Sequence, residues 1–78
     1  MHHELKSWPE PFQFVLDGIK TFEYRKDDRC FEVGDMITIK EWDPKLKEYT
    51  GRTVVFIVKF KQNGGEFGIP EGYCILGM

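Results

Sequence analysis

A chain of 78 residues forms one domain around one core and has little stability to spare. Its 11 Lys and Arg against 13 Asp and Glu leave a formal net charge of −2, which excludes a general field that attracts nucleic acid; any such contact has to come from a local patch. No apolar run reaches transmembrane length, and the longest, Val54 to Val58, suits a buried strand.

His3-Glu4-Leu5-Lys6 alternates and reads as a first strand. Two helix starts compete after it. Ser7-Trp8-Pro9-Glu10 has capping-box spacing, but Glu10 precedes a proline and Pro11 lacks an N–H, so Pro11 is expected as the first helical residue. Phe12, Val15, Leu16 and Ile19 form one apolar stripe, and Gly18 suits the C-terminal cap. A helix of about two turns cannot persist alone and needs packing.

Thr21 to Arg25 is the second strand. Phe22 and Tyr24 point one way, which predicts an apolar face anchored in the core. Thr21, Glu23 and Arg25 point the other way, with Lys20 at the edge. Lys26-Asp27-Asp28-Arg29 is a charged turn, and Val33-Gly34-Asp35 leads into a strand from Met36 to Trp42. Ile37 and Ile39 share one face of that strand; Met36, Thr38, Lys40 and Trp42 share the other. Asp43-Pro44 stops it, and Lys45 to Gly51 reads as a polar loop holding Tyr49. Thr53 to Lys61 is apolar on both faces and is expected as one central strand. Gln62 to Gly65 and Pro70 to Gly72 are turns, and Tyr73 to Met78 is the last strand.

The outline is mainly β: about five strands, with the helix between the first two, in a small barrel that hides its edges. Cys30 and Cys74 lie 44 residues apart without neighbouring ligands, which reads as two reduced thiols and no metal site. No cofactor motif is present, since the glycines are widely spaced turn markers. With no secretory signal before the first strand, the expectation is a cytoplasmic monomer or weak dimer without a membrane anchor.

The motifs resemble a known family. Gly18-Ile19-Lys20-Thr21-x-Glu23-x-Arg25, then Val33-Gly34-Asp35 before a strand, then Glu71-Gly72-Tyr73 are similar to the ASCH (activating signal cointegrator homology) domain of the PUA-like superfamily. A short bacterial and phage branch also carries counterparts of His3 to Lys6, Arg25 to Arg29, Glu41 to Asp43 and Tyr49 to Arg52. The resemblance implies a single domain over residues 1–78, a PUA-like β pseudobarrel with a cleft beside the helix and second strand. It implies RNA or a nucleotide as the partner. One ASCH subgroup is an amidohydrolase that removes an acyl group from modified cytidine. Lys20 matches its catalytic lysine, but Glu23 stands where that subgroup has threonine, and its late glutamate has no aligned counterpart.

The expected site is therefore a binding cleft of Lys20, Thr21, Glu23 and Arg25. Arginine grips phosphate with two prongs, and a carboxylate accepts from a base amino group. Lys26 and Arg29, with Lys6 and Lys40 as additions, would extend a basic rim, although Asp27 and Asp28 between Lys26 and Arg29 also read as a solvated turn; Trp42 and Tyr73 offer either rings on which a base stacks or packing at the barrel ends. His3 is expected to be structural. The alternative is a small hydrolase acting on an acylated or modified nucleoside, with Lys20 as base and Glu23 as proton carrier.

Overall fold

The computed structural model describes residues 1–78. The elements run β1 (His2–Ser7), α1 (Pro9–Leu16), β2 (Phe22–Lys26), β3 (Met36–Asp43), β4 (Glu48–Ile57), β5 (Phe60–Asn63) and β6 (Tyr73–Gly77). The domain is mainly β with one short helix between the first two strands, as its sequence patterning predicts. The strands form two three-stranded sheets, ordered β1-β3-β4 and β2-β6-β5. β1 pairs parallel to β3, so the chain needs a long crossover, which α1 and β2 supply. The remaining pairs are antiparallel.

The helix begins two residues earlier than expected. Pro9 is its first residue, and the N–H of Phe12 makes the first helical bond, to the carbonyl of Trp8 at 3.0 Å. Pro11 is tolerated because the first amides of a helix have no intrahelical acceptor. The capping box is unused: no side chain caps Trp8, and the Ser7 hydroxyl donates to the Trp8 carbonyl instead. At the other end Gly18 has φ of 73°. Its N–H reaches Val15 O at 3.1 Å and the N–H of Ile19 reaches Phe14 O at 3.0 Å, a paired closure that requires the left-handed turn. Phe12 and Val15 enter the core, whereas Leu16 and Ile19 stay exposed.

β3, not the apolar stretch after Arg52, is the central strand of its sheet. Residues 53–61 are not one strand. β4 ends at Ile57 as a sheet edge, and β5 starts at Phe60 in the other sheet. Val58 is the crossing point: its N–H and C=O bond Asp35 O and Gly34 N, while the next residue, Lys59, donates to Gly77 O in the second sheet. The pleat parity shifts there. Val54 and Phe56 pack on the core and Val58 is buried, but Phe60 is exposed. Val55 and Ile57 lie on an open face, which is why two apolar sides did not mean a central position. The expected 45–51 loop is also shorter. Asp43 Oδ1 accepts from the N–H of Lys45 and Leu46, closing a tight turn, and Tyr49 already pairs opposite Trp42.

Between the sheets lie Leu5, Phe12, Val15, Phe31, Ile37, Ile39, Val58, Cys74 and Leu76. Each large apolar side chain removed from water there is worth about 1.5–3 kcal/mol. Five polar residues share this interior: His3, Ser7, Glu23, Asp35 and Glu41. Each of the four ionisable ones has a named hydrogen-bonding partner.

Candidate functional site

The pleat of β2 has the expected alternation and the opposite orientation. Glu23 is only 3% exposed, while Phe22 and Tyr24 are 47% and 46% exposed. Pairing with β6 dictates this. Glu23 stands opposite Leu76 and Arg25 opposite Cys74, and cross-strand partners face the same side. Leu76 and Cys74 face the core, so the carboxylate does too. The two aromatics lie on the outer face, where Tyr24 stacks on Tyr73 with ring centroids 5.6 Å apart.

A buried carboxylate is costly unless paired. Glu23 Oε1 accepts from Lys20 Nζ at 3.3 Å, and Oε2 accepts from Arg25 Nε at 3.1 Å. The Lys20 and Arg25 side chains are 25% and 27% exposed. The cluster thus carries one buried negative charge and two cations that reach water.

Arg25 also reaches across the gap between sheets, donating from Nη2 to the Lys6 carbonyl at 2.8 Å. Arg29 Nη1 donates likewise to the Glu4 carbonyl. β1 and β2 are both sheet edges and do not pair with each other. The two arginines cap carbonyls that an unpaired edge strand would otherwise leave open, and so stitch the seam with side chains in place of a backbone ladder.

On the outer side of β1 lies a groove of about 500 Å³ walled by His2, Glu4, Lys6, Arg29, Lys40 and Tyr49. Lys6 and Lys40 are direct register partners. Lys6 Nζ sits 4.4 Å from the Trp42 ring centre and Lys40 Nζ 4.6 Å from that of Tyr49. The two rings meet edge to face at 5.0 Å. A second groove, of about 490 Å³, lies between the start of α1 and the β3–β4 turn, lined by Trp8, Pro9, Pro11 and Pro44 among others.

The structure brings Lys20, Glu23 and Arg25 into one cluster, with Lys6 joined to it through its backbone. Neither groove includes those three. Trp42 lies beneath Lys6, whereas Thr21 is exposed and offers its carbonyl to Met78 N. Lys26 and Tyr73 pair on the outer face of the second sheet, on the side opposite Glu23. Tyr49 went unrecognised because the stretch holding it reads as loop; its position opposite Trp42 across a short Asp-Pro turn was the available signal.

Two further ionic clusters escaped the sequence reading. Glu41, 3% exposed, accepts from Arg52 Nε and Nη2, both at 2.9 Å, and from the Thr50 hydroxyl at 2.6 Å. The Arg52 hydrogen bonds, then that of Thr50, hold its carboxyl at about 2, and Glu41 in turn raises Arg52. Arg52 continues to Gln13 Oε1, tying β3 and β4 to α1. Asp35 is held at about 2, first by its hydrogen bond to His3 at 2.8 Å, then by the amino group of Met1 and the N–H of Glu32. The His3 ring rests edge-on against buried Phe31. Both cysteines are free, and burial pushes the Cys74 thiol up. No group of three or more His, Cys, Asp or Glu is placed to hold a metal, and no helix is long and apolar enough to cross a membrane.

These features define a small two-sheet β domain whose one seam is closed by cationic side chains. The chain belongs to the family described as Domain of unknown function (DUF3850), whose profile matches residues 2–78. It is similar to the "Uncharacterized 12.9 kDa protein in GpA 3'region" of Escherichia phage P2, at 42% identity over 52 residues. That alignment covers 67% of this chain and 46% of the phage protein, so it spans about half the relative's length.

Proposed function

We propose that this domain is a nucleic-acid-related binding module that takes a nucleotide unit, free or within RNA, at the seam between β1 and β2. The observation that carries the reading is the cluster itself: one buried carboxylate holding two partly exposed cations in fixed positions. Arg25 spends Nε and Nη2 on Glu23 and Lys6. Its remaining N–H groups, with the Lys20 ammonium, are the donors that a phosphate needs. The resemblance of this strand to the ASCH and PUA-like segment supports the same assignment. Glu23 stands in the place of the subgroup's threonine and is engaged by both cations, which favours binding over hydrolysis. Two free thiols fit a reducing compartment, and we place the domain in the cytoplasm.

Titrating nucleoside monophosphates into the protein, followed by amide chemical shifts, tests the reading. Shifts centred on Lys20 to Lys26 that weaken with salt and with Lys20→Ala are expected. Saturable shifts elsewhere, or none at low salt, overturn it.

A further inference from the structure

We propose that the groove on the outer face of β1 and β3 is a second subsite, so that the ligand is a single strand of RNA crossing the edge of β1, not a lone nucleotide. This rests on the seam reading above and extends it to a separate surface. Three cations, Lys6, Lys40 and Arg29, wall one concavity of about 500 Å³ in a chain of net charge −2. The acidic side chain on that wall is Glu4. Such local concentration is the electrostatic footprint of a phosphodiester backbone. The groove also has a ring for a base. Tyr49 is 48% exposed, braced from one side by Trp42 and approached by Lys40. A braced, half-exposed ring is a stacking platform, and stacking accepts any base.

The groove and the seam are contiguous through Lys6 and Arg29. Lys6 turns its carbonyl to Arg25 in the seam and its ammonium to the groove wall over Trp42. Arg29 bridges in the same way, donating to the Glu4 carbonyl while lining the groove. The cations therefore follow one path: Lys40 on β3, Lys6 on β1, Arg25 on β2 and Lys20 before it. A mononucleotide reaches one end of that path. A strand reaches both, and gains by adding the second contact to a ligand already held by the first.

The test uses uridine 5′-monophosphate and uridine oligonucleotides of about 4 to 16 nucleotides, the span that single-strand sites cover. The wild type is compared with Lys20→Ala, Lys40→Ala, Tyr49→Ala and Tyr49→Phe, each checked for a cooperative melting curve. Affinity is expected to rise at least about tenfold from the mononucleotide to the longer strands. Lys40→Ala and Tyr49→Ala are expected to remove most of that gain and leave mononucleotide affinity within about twofold, while Tyr49→Phe retains it because the ring persists. No gain with length, or a gain that both alanine variants leave intact, overturns the second subsite alone. Length-dependent binding that needs Tyr49 yet ignores Lys20→Ala overturns the seam reading and leaves the groove standing. Failure of every probe to bind overturns both.

Discussion

Glu23→Gln is the substitution with the most specific consequence. The side chain keeps its shape, and Arg25 Nε still finds an amide oxygen. The other end now presents an NH₂ to the Lys20 ammonium, donor against donor, where Oε1 had accepted at 3.3 Å. Hydrogen bonds to charged groups contribute about 1.5–3 kcal/mol each. One is lost here and one is weakened. Lys20 and Arg25 are about a quarter exposed, so water replaces part of the loss. The expected net cost is about 2–3 kcal/mol. For 78 residues the total stability is about 4–12 kcal/mol, so the change is large. Urea unfolding followed by tryptophan fluorescence reads it: at about 1 kcal/mol per molar urea, the midpoint falls by about 2–3 M with an unchanged slope. Lys20→Ala removes the more weakly held partner but leaves Arg25 on the carboxylate, and is expected to cost about 1–2 kcal/mol, less than Glu23→Gln. A Glu23→Gln midpoint within about 0.3 M of wild type refutes the account of Glu23 as a buried, paired charge.

Two other outcomes follow from the same packing. Asp35 and Glu41 both have folded-state values depressed to about 2, from 3.8 and 4.5. Their contribution is therefore complete above the ordinary carboxylate range and is lost as pH falls from about 4.5 toward 2, so urea midpoints should fall through that window, and less steeply in Glu41→Gln; a flat acid limb contradicts the assignment. At Gly64 an added methyl carbon would lie 2.1 Å from the Pro70 carbonyl oxygen and 2.6 Å from that of Tyr73. Gly64→Ala must therefore displace backbone, at an expected cost of about 1–3 kcal/mol, and a melting temperature equal to wild type would contradict the close approach.

Much of the β outline was legible because period-2 alternation and turn residues are local signals. The grouping of Ile37 with Ile39 on one face and Lys40 with Trp42 on the other, the Gly18 cap and the Asp43-Pro44 stop all depend on near neighbours. What was not legible depends on partners distant in sequence. Alternation in Phe22 to Arg25 fixes which residues share a face, but the register with Cys74 and Leu76 decides which face is buried. Hydrophobicity alone points the aromatics inward; the two cations available to Glu23 reverse that. Likewise the apolar run from Val54 to Phe60 carries no mark of the switch at Val58, because both the strand before it and the strand after it are apolar. Of the expected site, the Lys20, Glu23 and Arg25 constellation was visible as a motif, while the groove was not. Its wall combines β1, β3, the turn after β2 and Tyr49 of β4, stretches that the parallel pairing of β1 with β3 and the antiparallel pairing of β3 with β4 help bring together.

The central claim, that cations at the edge of β1 hold a nucleic-acid backbone, is tested most directly by the salt dependence of binding to a labelled single-stranded RNA. Anisotropy titrations from low to physiological salt should give a linear fall of log affinity with log salt, with a slope of about −0.7 per phosphate contacted. Four cations along the path predict a slope of about −3, and Lys20→Ala or Lys40→Ala should each reduce it by about 0.7. Binding that is absent at low salt, or present with a slope near zero in wild type and variants alike, contradicts the account.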